Sequence, residues 1–576
     1  MKPVSSHFLN LSIFDTQGFG IERAEQERVL VERVEKERVE KERVEQDFLL
    51  RRLKPVETGY HRKLRCMDST RQTLLNQITD WVSNKHGQEN ALQRNVYWFF
   101  SSPGIGKTSL AHSICANLHE QNHLAGAFFC RRDDPNLSEP INVLPTFIYK
   151  LAILFPPFRT IVAEHLRRDP NITPDSMEYS LFLGFIRQLP SPPKRTLVFV
   201  IDALDECGSK RSRPNILKAL TDAAARTPWL RVIITSRPEA DIEHFFDGLA
   251  LLSHLRYDLS ADEEITSDIR TFAQARFGLV ALTRYLPSPW PEQKLFDEVI
   301  SRAAGLFIFI ESLALALEDS HDPTELLEST LQDSASAGLT SLYGLYSSIV
   351  EARKVQKNDE FRRVIGVLLI TAPHHPLCEE MIAKMAGVRA DLVKMWIGDL
   401  SSLLYRKEGT KGGICVRHPS ISDFFFSDDC PRDYQVNLRD ANVQLGIACL
   451  KTMVVELRFN ICKLEDSRLA NNDVNDLASR IKENISDALQ YSSVNWTNHL
   501  CFTPDTSDGR VWESLREFFG GPYPLFWIEV LSIIGMLRIG ALGLRGVISM
   551  FVKVCTAPAC RYTHSKVILT CCRMQI

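Results

Sequence analysis

Among the fourteen cysteines of this 576-residue chain there is no Cys-x-x-Cys pair. That absence removes the commonest zinc modules and the dithiol redox motif, and scattered thiols of this kind fit a reducing, cytoplasmic setting. Cys555, Cys560, His564, Cys571 and Cys572 crowd the C-terminus, but their spacing matches no zinc module. Charge of one sign is also lacking. The net charge is −3, so no global field recruits nucleic acid or an anionic membrane. A basic and apolar leader is missing from the N-terminus. The most hydrophobic stretch, Phe526 to Val554, is broken by Glu529, Arg538, Arg545 and Lys553. It reads as packed helices rather than a membrane span. No internal repeat follows residue 250, which excludes a solenoid or propeller there. What remains is a chain 44% hydrophobic and 24% charged, a globular composition with length for about four domains.

The first 20 residues carry no periodicity and are expected to be disordered. Residues 22–46 form five pentads of the kind Glu-Arg-Val-Glu-Lys, three close copies (32–46) after two degenerate ones. Glu32 to Lys36 and Glu37 to Lys41 are i,i+4 pairs in the favourable orientation, each worth about 0.3 kcal/mol. Val29, Val34, Val39 and Val44 step round the helix by about 140° per pentad, so they make no continuous seam. The pattern favours one solvated helix over 21–54 against a coiled coil. Pro55 closes it, and a helical lead-in occupies 55–90. Within that lead-in, 69–82 is amphipathic, with Leu74, Leu75, Ile78, Trp81 and Val82 on one face.

From Val96 to about residue 245 strands alternate with helices, the signature of an α/β parallel sheet flanked by helices. Val96-Tyr97-Trp98-Phe99-Phe100 reads as a buried strand and Ser109 onward as a helix. Between them runs Ser101-x-x-x-x-Gly106-Lys107-Thr108. This is a phosphate-binding loop with serine in place of the first glycine. Its backbone over Ser102, Pro103, Gly104, Ile105 and Gly106, with Ser109 at the helix start, would curl round phosphates. Lys107 would reach the β- and γ-phosphates and Thr108 would ligand Mg²⁺. Ser101 costs more than glycine if its φ is positive.

Leu197-Val198-Phe199-Val200-Ile201-Asp202 is a continuous apolar strand that delivers a carboxylate to the sheet edge. Asp202 fits the role of holding Mg²⁺, usually through water. Asp205 and Glu206 follow at once, and one of them, Glu206 by preference, would orient or deprotonate an attacking water. An N-cap cluster opening the next helix is the alternative. A third strand, Leu230 to Thr235, ends in Ser236-Arg237-Pro238. Arg237 is positioned to sense a γ-phosphate; a surface ion pair is its other reading.

In this order the three elements resemble the NACHT family of signal-transduction ATPases, in the fungal form related to the NTPase region of nephrocystin-3-like proteins. The matching segments are Trp98 to Thr108, Ile201-Asp202-Ala203-Leu204-Asp205-Glu206 and Thr235-Ser236-Arg237-Pro238-Glu239. Cys66-Met67-Asp68-Ser69-Thr70-Arg71 is similar to the family's Cys-x-x-Gly-Thr-Arg, which implies that Thr70 and Arg71 lie near the nucleotide. Ala303-Ala304-Gly305-Leu306-Phe307-Ile308 resembles a family helix, but Leu306-Phe307 stands where an adenine-contacting proline is usual, so no base contact is carried over. Arg417-His418-Pro419-Ser420-Ile421-Ser422-Asp423-Phe424 resembles the end of the family's winged-helix domain. There a histidine meets the ADP phosphate, a role that falls to His418 unless it is a hydrogen-bonded core histidine. Tyr491, Trp496 and His499, with Phe526 to Ser532, resemble the helical segment that follows.

The resemblance implies a NACHT P-loop domain over 91–245, a helical domain over 246–345, a winged-helix-like domain over 346–435 and a helical C-terminal region over 436–576. It implies an ATP/ADP switch with Mg²⁺, slow hydrolysis, homo-oligomers in the ATP form, an unidentified protein effector, and a part in fungal non-self recognition or programmed cell death. A nucleotide-binding scaffold without significant hydrolysis is the second reading, motivated by Ser101 and by the missing sensor repeats. Nucleic acid is not an expected partner, since 352–435 carries no basic recognition stripe. No membrane contact is expected either.

Overall fold

The structure, a computed structural model, describes residues 11–555 except for 57–59, 61–63, 84–93, 133, 135, 174–176, 178, 190–194, 250–253, 333–336, 353–358, 374, 408–411, 467–468 and 502–508. The expected contents of 1–10 and 556–576, including Cys560, His564, Cys571 and Cys572, lie outside the described residues. Among the described residues no group of His, Cys, Asp and Glu is placed to hold a metal, and no helix is long and apolar enough to cross a membrane.

Helix α1 runs Leu11–Leu50, ten residues ahead of the expected start. No proline stands between Leu11 and the pentads, and once a helix is nucleated each added residue is cheap. Side chains from Glu32 to Glu45 are exposed, and Val34, Val39 and Val44 remain more than half exposed. Ion pairs hold this stretch, among them Glu32–Lys36 at 2.9 Å and Arg33–Glu37 at 3.4 Å. A second set ties its base to the body. Arg167 pairs Glu45 at 3.0 Å, Gln46 Nε2 donates to Thr160 Oγ1 at 3.3 Å, and Arg52 donates to the carbonyls of Leu166 and Pro170. Leu50 and Leu53 are fully buried. Lys54 takes a left-handed φ of 45° just before Pro55.

After α2 (Gln72–Ser83) comes the sheet: β1 (Val96–Phe100), β2 (Leu124–Phe129), β3 (Leu197–Asp202), β4 (Leu230–Ser236) and β5 (His254–Asp258). Helix α3 (Lys107–Glu120) joins β1 to β2. Helices α4 (Val143–Leu154), α5 (Pro156–Arg168) and α6 (Tyr179–Arg187) lie between β2 and β3. Helix α7 (Arg213–Arg226) precedes β4, and α8 (Ala240–Asp247) precedes β5. The order is β2-β3-β4-β1-β5 and every pair is parallel. Strand β5 corrects the expectation that the chain is helical from residue 245. It lies at an edge and is only partly covered, so it lacks the apolar run that marks an inner strand.

Period-two alternation gives the sheet two cores. Val96, Trp98, Phe199, Ile201, Val232 and Ile234 face α4–α8 together with Leu50 and Leu53. Tyr97, Phe99, Val198, Val200 and Ile233 face the other way, into a core that continues through the C-terminal half as far as Ile548. That half is helical: α9 (Ile265–Thr283), α10 (Gln293–Ala303), α11 (Phe307–Asp319), α12 (Pro323–Gln332) and α13 (Leu339–Ala352). Next come α14 (Asp359–Thr371), α15 (Glu379–Ala386) and α16 (Ala390–Asp399). The antiparallel hairpin β6 (Leu404–Arg406) and β7 (Ile414–Val416) follows, then α17 (Pro419–Phe426). Three helices followed by a hairpin are the order of elements in a winged helix. Helices α18 (Leu438–Glu456), α19 (Leu477–Asn484), α20 (Asp487–Cys501), α21 (Gly509–Gly520), α22 (Tyr523–Ile533) and α23 (Leu537–Cys555) complete the chain.

Because the ion pairs from Glu32 to Arg43 lie within α1 itself, removing residues 1–42 should shift Tm by less than about 2 °C. A thermal melt of the truncated chain checks this, and a larger loss would mean that the pentads support the body.

Candidate functional site

Parallel strands bring the ends of β1, β3 and β4 to one edge of the sheet. β4 lies between the loop-bearing β1 and the acidic β3, so Arg237, one residue past β4, emerges between the loop and the carboxylates.

The loop is shaped by two glycines, Gly104 at φ +89° and Gly106 at +93°. Ser101 is not among the positive-φ residues, so the serine costs no left-handed strain there. It is buried, and its carbonyl and that of Ser102 each accept from Lys107 Nζ at 2.8 Å, with Ser101 Oγ at 3.3 Å. Helix α11 supports the loop from below. Ile308 N–H donates to Gly104 O at 3.2 Å, and a Cβ on Gly104 would come within 2.2 Å of Ile308 Cγ2. Phe307 approaches Gly106. Sequence reasoning carries no nucleotide contact over to this helix; only the fold reveals its contact with the loop. Ile105 is buried, while Ser102, Pro103 and Ser109 are half-buried and Thr108 is exposed.

Arg71 reaches the same loop. Its guanidinium donates to Ile105 O at 3.3 Å, is paired with Asp262 and lies 3.8 Å from Asp268. Its φ of 59° is left-handed. Thr70 does not follow it: its hydroxyl donates to Met67 O at 2.9 Å and serves its own turn. Of this implied pair, only Arg71 meets the loop.

Asp202 is buried at the end of β3 and accepts a hydrogen bond from the Thr235 hydroxyl. Burial raises its pKa, against the neighbouring Thr235 and Thr108 hydroxyls and the charge of Lys107. Ala203 then turns at φ 54°, with its N–H on Thr235 Oγ1 at 3.0 Å. A short 3₁₀ turn, Leu204–Glu206, follows, and α7 begins only at Arg213. The acids therefore do not open a helix, which removes the N-cap alternative. Asp205 is buried and fully engaged. It accepts Arg237 N–H at 2.9 Å, faces Arg237 Nε at 3.4 Å and Arg132 Nη2 at 3.8 Å, while Arg213 Nη2 donates to its carbonyl at 2.9 Å. Glu206 accepts the Arg132 N–H at 3.4 Å. Burial, then the neighbouring Asp205, lifts its pKa to about 7, where a carboxylate can both take and return a proton.

Residues 69–237 match the family model of the nephrocystin 3 N-terminal region. The chain thus carries a nephrocystin-3-like P-loop NTPase region. The match covers less than a third of the sequence, from just before Thr70 and Arg71 to the strand-end Arg237, and leaves out α17. No curated protein sequence matches the chain. Among solved structures, a Walker-type ATPase of Pyrococcus abyssi is 12% identical with a TM-score of 0.32, covering 65% of this chain and 99% of its own. For the ORC1 protein of Aeropyrum pernix, solved in complex with DNA, the values are 11%, 0.29, 64% and 94%. For Cdc6p of Pyrobaculum aerophilum they are 12%, 0.30, 66% and 96%. TM-scores this low supply no residue correspondence for the site.

Two residues of α17 complete the arrangement. Asp423 Oδ2 accepts from Arg237 Nη1 at 3.0 Å. His418 caps the helix, its Nδ1 accepting the Ser420 N–H at 3.1 Å. Burial, then the charges of Arg237 and Lys107, pushes its pKa down to about 3, so it is neutral and lies within electrostatic reach of the loop lysine. Asp423 was missed from sequence, although it sits in the segment quoted for His418; its partner is 186 residues away and no local pattern announces it. Arg132 was missed for the same reason, its partner Glu206 lying 74 residues on; Thr235 and Arg213 meet theirs over 33 and 8 residues, but no local pattern announces them either. The donor set suits a magnesium nucleotide: glycine-shaped amides with Lys107 for phosphate, Thr108 and Asp202 for the cation.

Substituting Gly104 by alanine should cost about 1–3 kcal/mol, because a left-handed φ and a clash with Ile308 coincide. Gly184→Ala in α6, where a Cβ meets nothing within 4 Å, should be neutral or gain up to about 1 kcal/mol. Urea unfolding of both variants tests the contrast.

Proposed function

We propose that the chain is a nucleotide-operated signalling switch of the NACHT type, binding ADP and ATP with Mg²⁺ at the loop and reading the bound form through the winged-helix module. The observation that carries this reading is the ion pair between Arg237, at the end of a core strand, and Asp423, in the helix capped by His418. The phosphate edge and the second module share one guanidinium.

A bound nucleotide would supply the phosphate charge that Lys107 and Arg237 are placed to meet, and Mg²⁺ a cation for Thr108 and Asp202. Lys107 would exchange its contacts with Ser101 and Ser102 for phosphate oxygens, and Arg71 would hold the loop through Ile105. In the diphosphate form Arg237 stays with Asp423, and neutral His418 faces the phosphates. A γ-phosphate would compete for Arg237 and take from Asp423 its partner across the modules. That difference between two ligands is what a switch requires. Loosening α17 would uncover the surfaces through which an ATP-bound homo-oligomer and a protein effector engage. Glu206 would take the proton of an attacking water and reset the switch slowly. Likeness to the family supports a biological role in fungal non-self recognition or programmed cell death.

Protein purified from cells should carry ADP, read by mass spectrometry of the released nucleotide. Lys107→Ala should abolish retention, and Asp423→Asn should speed ADP release about tenfold in a fluorescent-ADP chase. Wild-type protein that arrives empty and is not stabilised by added ADP would refute the proposal.

Hydrolysis needs Glu206 ionised. Below a pKa of about 7 the protonated form dominates, so phosphate release should climb about tenfold per pH unit and level off above neutrality. Glu206→Gln should lose both the rate and the profile. Rates equal to wild type would leave the non-hydrolysing scaffold as the better description.

A further inference from the structure

We infer that Arg132 is a second phosphate-sensing arginine, one that meets the terminal phosphate of a nucleoside triphosphate and so separates it from a diphosphate; this rests on the nucleotide-binding reading above. Its position follows from the sheet. Phe129, at the end of β2, is in register with Asp202, and Cys130 N–H donates to Asp202 O at 2.9 Å. The chain leaving β2 is thereby stitched to the acidic strand and carries Arg132 to the edge where the loop, Asp205, Glu206 and Arg237 meet.

Its backbone and its head are held unequally. The backbone N–H is on Glu206 Oε2 at 3.4 Å, whereas the guanidinium approaches Asp205 Oδ2 only to 3.8 Å with the side chain 51% exposed. A long, half-exposed ion pair is weak. A phosphate oxygen offers a stronger, charge-assisted partner with geometry that suits a guanidinium. The other two cations of the edge are more heavily committed. Lys107 is bonded to two carbonyls, and Arg237 is shared between Asp205 and Asp423. Asp205 faces two arginines. Arg132 can give up its hold on Asp205 without stranding that carboxylate, because Arg237 N–H and Nε remain on it.

The test compares binding of fluorescent ADP with that of a fluorescent, non-hydrolysable ATP analogue to the full chain. Arg132→Ala should weaken the analogue about tenfold and leave ADP within about twofold. Arg132→Lys should recover part of the loss, since lysine keeps the charge but not the fork. Arg131→Ala, which removes the same charge one residue earlier, should leave both affinities unchanged. Equal weakening of both ligands by Arg132→Ala, or of neither, would overturn the inference while leaving the nucleotide site intact. A wild-type chain that binds neither ligand would instead overturn the nucleotide reading, and this inference with it.

Discussion

The carboxylate of Asp205 is the constraint on which the site depends. A buried charge must be paired and hydrogen-bonded, and Asp205 meets that need by drawing on two separate connections. The loop after β4 supplies Arg237 through both N–H and guanidinium. The loop after β2 supplies Arg132. The backbone of the same turn is held independently by Arg213 at the start of α7, which clamps the Asp205 and Cys207 carbonyls and pairs with Asp241 of α8. Removing the carboxylate would leave Arg237 and Arg132 with no common partner. Its neighbour Glu206 is freed by the same arrangement: with Asp205 fully spent on structure, the acid beside it keeps a raised pKa and an uncommitted oxygen.

The ion pair between Arg237 and Asp423 does not act alone in joining the modules. The face of the sheet that bears Tyr97, Phe99 and Ile233 opens into the same apolar core as the winged-helix layer and the helices after it. A switch built on this chain would therefore have to part an oily interface as well as an ion pair. A lone pair at this exposure contributes on the order of 1 kcal/mol, whereas burial gains of about 25 cal/mol per Å² accumulate over a whole interface. The charge sets the direction of the equilibrium, and the core sets its depth.

The parts of the site that were legible in the sequence share one property: each is a short local pattern at the end of an apolar strand. Gly106-Lys107-Thr108, Asp202-Ala203-Leu204-Asp205-Glu206 and Arg237 could be found because an inner parallel strand announces itself and its C-terminal end is where ligands gather. β5 was not legible, because His254-Leu255-Arg256-Tyr257-Asp258 is an edge strand with polar residues and reads as neither strand nor helix. Asp423, Arg132 and the approach of Ile308 to Gly104 depend on pairings across 73 to 204 positions, which no window can show. The doubt over Ser101 had the opposite outcome. Its residue type suggested strain, and only the backbone showed that none is needed.

Helix α1 enters the body on the face of the sheet away from the loop. Leu50 and Leu53 belong to the core of α4–α8, not to the one shared with the C-terminal modules. Whatever parts the winged-helix layer from the sheet leaves this anchorage untouched. The charged rod would keep its aim while the opposite side of the molecule rearranges, extending its exposed stretch from Glu32 to Glu45 by about 21 Å at 1.5 Å per residue. Such a mast would transmit position rather than motion, leaving movement to the other face.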